Sequence, residues 1–165
     1  MFIRPVAAAD APALASLLNE IIARGGTTAF QRSFTPQRLA EIMLLGSRVI
    51  CCFVAEESDG ALGGFQSLVR SEHLPNDVGD IATFSRVGRT QKGIGSQLFA
   101  ATRAEARRQR PTAINATIRA DNFGGLAFYN RLGFTDHSID RAVPLLDGTE
   151  IDRISKRYAL ERDDL

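Results

Sequence analysis

The chain of 165 residues has no tryptophan, two histidines and two cysteines, and its opposite charges almost cancel. Twenty Lys and Arg against nineteen Asp and Glu leave a net charge of +1, which argues against a nucleic-acid-binding protein. The histidines, His73 and His137, are far apart and lack Cys or His neighbours at ligand spacing, so no metal site is predicted. Cys51 and Cys52 are adjacent and poorly placed to pair, so we expect two small residues in a buried strand and no disulfide between them.

Long apolar runs are absent as well. The longest are short, as in "RVICCFVA", and none could span a membrane. The N-terminal "MFIRPVAAAD" lacks the apolar core of a signal peptide, so we expect a cytoplasmic protein. Hydrophobic residues make up 44% of the chain, enough for the core of a single domain over residues 1–165. The sequence leaves open whether this domain is a monomer or a homodimer.

Hydrophobic periodicity predicts two helices in the first third of the chain, after a short strand "FIRP". Apolar residues at helical spacing follow Asp10, a candidate N-cap, and continue to Gly25. A second helix is expected from Thr35, a helix-start residue before proline, to a stop at Gly46. The residues expected to face inward on this second helix are Leu39, Ile42, Met43 and Leu45.

The apolar period then changes to two. "RVICCFVAEE" and "LGGFQSLVR" are typical of antiparallel strands joined by the turn "SDGA", and "DIATFSRV" follows as a third strand. A helix ending before Pro111, the strand "TAINATIR", the helix "DNFGGLAFYNRLG" and two strands around "LDGT" complete the chain. The order β-α-α-β-β-β-α-β-α-β-β predicts an α/β (α+β) fold. It would have a mixed, twisted central sheet of about six to seven strands with helices on both faces.

The segment "GRTQKGIGSQLF" places closely spaced glycines at the start of a predicted helix. A P-loop requires Lys and Ser or Thr where Ile94 and Gly95 stand, and a dinucleotide fingerprint requires glycine at Leu98. A loop of backbone amides around a pyrophosphate fits better, because Gly93 and Gly95 carry no Cβ that would block a ligand. A plain strand-to-helix turn is the alternative. The proposed amide donors are Gln91, Lys92, Gly93, Ile94, Gly95 and Ser96, and Arg89 and Lys92 would add charge.

Two blocks of sequence resemble the GNAT acyltransferase superfamily. "TQKGIGSQLF" is similar to its pyrophosphate loop, Gln/Arg-x-x-Gly-x-Gly/Ala, although Thr90 stands at the Gln or Arg position. "NFGGLAFYNRLGF" is similar to its block N-x-x-A-x-x-F-Y-x-x-x-G-F, with Gly125 in the alanine position. The blocks have the right order with a strand between them, and the element order agrees over nearly the whole chain. The resemblance therefore implies a GNAT-like fold.

The resemblance also implies acetyl-CoA as the acyl donor, without a metal. The pantetheine arm of the donor is expected to pair with the fourth strand around Thr83, Phe84 and Ser85, where that strand splays from the next. Asn122 matches the asparagine that contacts the pantetheine region in this family. A plain N-cap is the other interpretation of Asn122, and we expect both roles.

Two residues are implied to carry the chemistry. Tyr129 matches the tyrosine that usually donates a proton to the departing thiolate, whereas its neighbour Phe128 is expected to pack the helix on the sheet. Asp80 opens the fourth strand, at the position of the acid proposed as base in acyltransferases of the phosphinothricin type. The alternative for Asp80 is a solvated aspartate at a strand start. Less favoured bases are Glu72, His73 and Asp77.

The acceptor is less well defined. "IRPVAAADAPALASLLNEII" resembles the phosphinothricin subgroup, but the tryptophan-bearing C-terminal segment of that subgroup is missing. Phe30 and Arg70 are candidate acceptor contacts, with Asn19 and Glu20 beside them, and Arg70 suits a carboxylate unless it is a surface charge. We expect an N-acetyltransferase for a small amine, perhaps an amino acid or analogue. The alternatives are a protein N-terminal or lysine acetyltransferase and a non-catalytic CoA-binding regulatory domain.

Overall fold

A computed structural model describes residues 1–88 and 92–161. Within these ranges seven strands form one sheet in the order β1-β2-β3-β4-β5-β7-β6, which confirms the predicted element order and the mixed α/β fold. The strands are β1 (Phe2–Pro5), β2 (Val49–Glu56), β3 (Leu62–Arg70), β4 (Val78–Ser85), β5 (Ala113–Arg119), β6 (Thr135–Pro144) and β7 (Glu150–Ala159). The helices are α1 (Ala11–Arg24), α2 (Pro36–Leu39, continued by a π-helical turn Ala40–Leu44), α3 (Ile94–Gln109) and α4 (Phe123–Leu132).

Strands β4 and β5 are the parallel pair of the sheet, and they hydrogen-bond only at their beginnings. The paired residues are Val78 with Ala113, Gly79 with Ile114, and Asp80 with Asn115. Beyond Asp80, β4 stays paired with β3, whereas β5 stays paired with β7. The two strands therefore separate after their first three residues and leave a wedge-shaped gap inside the sheet.

Helices cover both faces of the sheet, as predicted. One face of β2, β3 and β4 packs against α1 and α2, and Phe65 and Phe84 belong to this cluster. The other face packs against α3 and α4, where Ile114, Ala116 and Ile118 of β5 join Tyr129 of α4. Because strand residues alternate, Asn115 and Thr117 point to the face opposite α4. No helix in the described ranges is both long and apolar enough to cross a membrane.

The second helix corrects one prediction. Leu39 and Met43 are buried as expected, but Ile42 and Leu45 are 38% and 54% exposed, and Leu44 is buried instead. The N–H of Leu45 donates to the carbonyl of Ala40 at 2.8 Å, five residues back, so the helix widens into a π turn. The wider turn changes the angle between successive side chains and moves the inward face from Leu45 to Leu44.

Candidate active site

The wedge between β4 and β5 opens into a cavity of about 870 Å³. A second cavity of about 580 Å³ adjoins it at the end of β4 and shares Thr83, Phe84, Ser85 and Asn122 with it. Asp80, Tyr129 and Phe30 also line the larger cavity, so residues predicted from three separate segments converge there. The other walls come from β5, β6 and β7, together with two loop segments: residues 27–30, and Ser71, His73 and Leu74.

Tyr129 projects from α4 into the wedge and is only 7% exposed. Its hydroxyl lies 2.9 Å from the Thr83 hydroxyl of β4. Burial raises the pKa of Tyr129 to about 12; the hydrogen bond with Thr83 acts in the opposite direction, and the charge of Asp80 adds to the rise. The phenol is therefore protonated at neutral pH and can act as a proton donor.

The side chain of Gln66 extends this contact into a chain of three groups. Its Nε2 donates to the Thr83 hydroxyl at 2.9 Å, and Gln66 is fully buried on β3. A hydroxyl that accepts one hydrogen bond can still donate its own hydrogen. If Thr83 donates to the oxygen of Tyr129, the phenol hydrogen is left for the cavity. Gln66 was not predicted from the sequence, although a glutamine within a mostly apolar strand can mark a buried polar contact.

Asp80 lies at the narrow end of the wedge, as the last residue of β4 that pairs with β5. Its Oδ1 accepts from Nδ2 of Asn115 at 3.0 Å, and Oδ1 of Asn115 accepts from Nε of Arg157 at 2.8 Å. Burial raises the pKa of Asp80, while the hydrogen bond from Asn115 and the charge of Arg157 oppose the rise. Asn115 and Arg157 were missed because they belong to strands β5 and β7, whose register the sequence does not reveal.

Tyr129 and Asp80 approach the wedge from opposite faces of the sheet. Tyr129 and the side chain of Thr83 lie on the face covered by α4, within contact of its hydrophobic cluster. Asp80 lies three residues before Thr83 on the same strand, so its side chain points to the other face, toward Asn115. A phenol and a carboxyl group therefore line the same gap from the two faces of the sheet.

The glycine segment lies at the start of α3, next to the wedge. Gly93 is the N-cap of α3 with a φ of +95°, a conformation that favours glycine. Among described atoms, a Cβ at Gly93 would approach only Nε2 of Gln97, at 3.8 Å, so the space above it is open. Lys92 and Ser96 are exposed there, whereas the side chain of Ile94 is buried and only its backbone can serve a ligand. Gln91 lies outside the described residues.

Gly95 also has a structural reason that the sequence did not predict. A Cβ at this position would meet Cε2 and Cζ of the Phe128 ring at 2.6 and 2.7 Å. Glycine at 95 thus allows α3 to pack against α4, and clearance for a ligand is not needed to explain it. Gly95 lines the larger cavity, whereas the space above Gly93 is open among the described atoms.

Asn122 has the N-cap role predicted for it. Its Oδ1 accepts from the N–H of Gly125 at 3.0 Å, and its Nδ2 donates to the carbonyl of Thr27 at 3.0 Å. The second bond links α4 to the loop after α1, which lines the cavity. A Cβ at Gly125 would lie 2.5 Å from Nδ2 of Asn122, so glycine here lets the Asn122 side chain lie close over the first turn of α4.

The acceptor residues expected from the sequence fall in different places. Phe30 lines the cavity and packs edge-on against Phe34, with ring centroids 5.2 Å apart. Asn19 holds the backbone of Phe34 through two hydrogen bonds of 2.7 and 2.9 Å, so it shapes the loop. Arg70 is exposed at the end of β3, bonds to the carbonyl of Asn76 at 3.4 Å, and is not among the described residues that line the cavity.

Comparisons with known proteins agree with this geometry. The model of the acetyltransferase (GNAT) family matches residues 17–134. A ribosomal-protein-alanine N-acetyltransferase from Brucella melitensis superposes with a TM-score of 0.82 at 20% identity, over 97% of this chain and 100% of that one. A GNAT superfamily phosphinothricin acetyltransferase from Sinorhizobium meliloti, solved with AcCoA, gives 0.83 at 17% identity, over 96% and 88%. A GCN5-related N-acetyltransferase from Kribbella flavida gives 0.83 at 19%, over 96% and 97%.

No curated protein sequence matches the chain significantly. The family match nevertheless covers well over half of the chain, and the chain belongs to the GNAT acetyltransferase family. It is an acetyl-CoA-dependent N-acetyltransferase, as the sequence predicted. The splayed strands and the open space above Gly93 fit acetyl-CoA, because they offer an unpaired strand edge beside a helix N-terminus.

Proposed function

We propose that the enzyme acetylates the primary amine of a small molecule, such as an amino acid or analogue, by direct attack of the amine on the acetyl group. The observation that carries this proposal is the placement of Asp80 and Tyr129 on opposite sides of the wedge. Direct transfer requires a group that takes a proton from the amine on one side and a group that gives a proton to sulfur on the other.

Asp80 is the proposed base. Its pKa is raised because burial disfavours the charged carboxylate, and a higher pKa makes the carboxylate a better proton acceptor. An α-amine, with a pKa of about 7.7 to 8.0, is neutral in roughly a tenth of molecules near pH 7, whereas an alkyl amine near 10.4 is almost never neutral. The need for Asp80 therefore grows with the basicity of the acceptor and with the acidity of the solution.

Tyr129 is the proposed acid. A phenol with a raised pKa holds its proton until the thiolate develops, and the proton of Tyr129 is available if Thr83 donates to its oxygen. A thiol has a pKa of about 8.5, which is lower than that of the phenol. Proton transfer from Tyr129 to the thiolate is therefore uphill in free energy unless other interactions in the site offset the difference. Thr83 and Gln66 act here as positioning residues for Tyr129.

The cofactor would be held mainly by backbone groups. Bound acetyl-CoA supplies an activated acetyl thioester, and the amides from Lys92 to Ser96, continuing the segment that begins at Gln91, would bind its pyrophosphate. The strand edge at Thr83, Phe84 and Ser85 would pair with the pantetheine arm, and Asn122 lies beside that edge in both cavities.

A small acceptor is favoured over a protein chain because loops narrow the acceptor side of the cavity. The tip of the β6–β7 hairpin bonds to the loop after α1, since the N–H of Leu146 donates to Oε1 of Gln31 at 2.7 Å. Residues 27–30 and the loop residues Ser71, His73 and Leu74 border the same space. A protein acetyltransferase for N-termini or lysines would need an open groove there, and a regulatory domain would need neither Tyr129 nor Asp80.

Release of the CoA thiol tests the proposal. Purified enzyme would be incubated with acetyl-CoA and pools of small amines, with peptides bearing free N-termini, and with peptides bearing lysine. Thiol release that depends on a small-amine pool supports the proposal. Thiol release with peptides alone would support the alternative of a protein acetyltransferase. Binding of acetyl-CoA without thiol release from any pool would support the alternative of a regulatory domain.

A further inference from the structure

Strand β7 carries two arginines that face the cavity without an ion-pair partner. Arg153, Ser155 and Arg157 alternate along β7 and all line the cavity. They stand opposite Arg119, Thr117 and Asn115 of β5, on the face that α4 does not cover. Arg153 and Arg157 are half-buried, and neither forms a salt bridge with any residue in the described ranges.

The other charges near these arginines do not neutralise them. Arg119 is already paired with Asp121 at 2.8 Å. Asp140 of β6 stands opposite Arg153 in the sheet, but no salt bridge joins them within 4.0 Å. The charges of Asp80 and Arg157 act on each other, but no salt bridge joins the two side chains, and Asn115 lies between them with a hydrogen bond to each. His73 and His137 line the same cavity and add no negative charge.

A half-buried guanidinium that no anion pairs with presents a planar fork of donors whose geometry matches a carboxylate. Nε of Arg157 is used by Asn115, but its two terminal nitrogens have no hydrogen-bond partner among the described residues. Arg157 and Asp80 hold the two ends of one carboxamide, that of Asn115. An anion bound at Arg157 and an amine at Asp80 would thus be separated by a short span.

We infer that Arg157 and Arg153 form a carboxylate subsite, and that the acceptor carries its carboxylate within a few bonds of the amine that is acetylated. This inference rests on the proposed function, since it assigns the amine to Asp80. It replaces Arg70, which lies outside the cavity, as the group that recognises a carboxylate. Peptide N-termini and lysine side chains in proteins lack a free carboxylate at that distance from the amine.

The test compares matched acceptors. Each α-amino acid in a panel is assayed beside its amide and beside the amine that lacks the carboxyl group, with thiol release as the readout. We expect kcat/KM to be roughly 10- to 100-fold higher for the best amino acid than for its amide, the range of a charge-assisted hydrogen bond. Equal kcat/KM values for acid and amide would overturn the inference.

Variants locate the subsite. In Arg153→Gln and in Arg157→Gln the preference for acid over amide should fall toward unity, mainly through KM for the acid. Arg108→Gln is the matched control, because Arg108 is 80% exposed on α3 and loses the same charge outside the cavity. An unchanged preference in both β7 variants would overturn the assignment to these arginines.

A binding experiment separates this inference from the proposed function. Calorimetry with the CoA-loaded enzyme would measure the binding of N-acetyl amino acids and of their amides. If no amine is acetylated but the carboxylates bind selectively, and Arg153→Gln removes the selectivity, the subsite stands while the proposed reaction fails. If amines are acetylated and neither assay distinguishes acid from amide, the reaction stands and the subsite is refuted.

Discussion

At the scale of single residues, the two tyrosines of the chain form a matched pair for testing the proton donor. Tyr129→Phe should lower kcat by roughly 10² to 10⁴, the range for loss of general acid catalysis, and leave acetyl-CoA affinity nearly unchanged. Tyr158→Phe is the control, because its hydroxyl accepts from Arg103 at 3.1 Å away from the wedge. Steady-state kinetics and a dissociation constant for acetyl-CoA check both. Full activity in Tyr129→Phe would mean that the thiolate departs without a proton from Tyr129.

Thr83 allows the orientation of that tyrosine to be tested. Thr83→Val keeps the shape but removes the hydroxyl that joins Gln66 to Tyr129. We expect kcat to fall by about 10-fold or more, a loss of about 1.4 kcal/mol, with little change in KM. Thr83→Ser restores the hydroxyl and should restore kcat. If Thr83→Val and Thr83→Ser behave alike, the hydroxyl does not position Tyr129.

The base assignment predicts a particular pH dependence. Asp80→Asn should lower the rate most at acidic pH, where the amine must lose a proton, and least at high pH, where the amine is already neutral. Rates from pH 6 to 10 for the parent and the variant would measure this difference. A deficit of equal size at every pH would mean that Asp80 only positions the acceptor, and the base would then be sought at His73 or a water chain.

Asp80→Asn should lower the rate but raise the stability of the fold at neutral pH. The folded-state pKa of Asp80 is raised, so its contribution to stability is present below the unfolded pKa and is lost as pH rises through the folded value. At neutral pH the buried carboxylate therefore destabilises the fold, and Asp80→Asn should raise the melting temperature there. The gain should shrink toward acidic pH. Thermal melts of the parent and the variant at several pH values would measure this gain. A gain of equal size at every pH would contradict a raised pKa of Asp80 in the folded state.

What the sequence could predict at this scale depended on where each residue lies in a motif. Tyr129 and Asn122 fall inside a block of fixed spacing, so they were found, and their catalytic and cofactor roles stay predictions. Arg157 and Asn115 meet Asp80 only through the register of β4, β5 and β7, which no local pattern encodes. Arg70 was predicted to contact the acceptor because it is a cation at the end of a strand. A cation in that position can equally well be a charge on the protein surface.

At the scale of elements, the contact between α3 and α4 separates packing from ligand binding. Gly95→Ala places a methyl group 2.6 Å from Cε2 of Phe128, so the two helices must shift. Overpacking of this kind typically costs about 1 to 3 kcal/mol, and the melting temperature should fall accordingly. Gly95→Ala combined with Phe128→Leu should recover much of that loss, because the smaller side chain makes room.

Melting curves of the single and double variants check this prediction. Gly93→Ala serves as the comparison, since its Cβ meets little but its φ of +95° disfavours alanine. If the double variant melts no higher than Gly95→Ala, packing against Phe128 is not what requires glycine at position 95. Clearance for the ligand would then be the better explanation.

Helix α2 illustrates the limit of periodicity for predicting elements. Its start was predictable, because Oγ1 of Thr35 accepts from the N–H of Arg38 at 3.1 Å as an N-cap should. Its inward face was not, because an i→i+5 bond at Leu45 breaks the regular spacing. A Cβ at Gly46 would lie 1.7 Å from the carbonyl oxygen of Glu41, so the predicted stop at glycine has a steric cause.

At the scale of the whole molecule, the splayed sheet makes a passage between two faces. The family block and the glycine segment predicted the fold, since both lie at strand-to-helix junctions on the two sides of β5. The composition and shape of the acceptor side depend on β6, β7 and two loops, whose sequence carries no shared motif. The fold and the donor side were thus predictable, while the acceptor side needed the three-dimensional structure.

Binding of acetyl-CoA across this passage should stabilise the molecule as a whole. A ligand present at 100 times its dissociation constant adds about 2.7 kcal/mol to the free energy of unfolding. For a chain of this size each kcal/mol raises the melting temperature by about 2 to 4 °C, so a shift of roughly 5 to 10 °C is expected. NAD should give no shift, because Leu98 occupies the third glycine position of a dinucleotide fingerprint. In Gly93→Val, where a branched side chain fills the open space at the start of α3, the shift with acetyl-CoA should vanish. An undiminished shift in Gly93→Val would mean that the segment is only a turn.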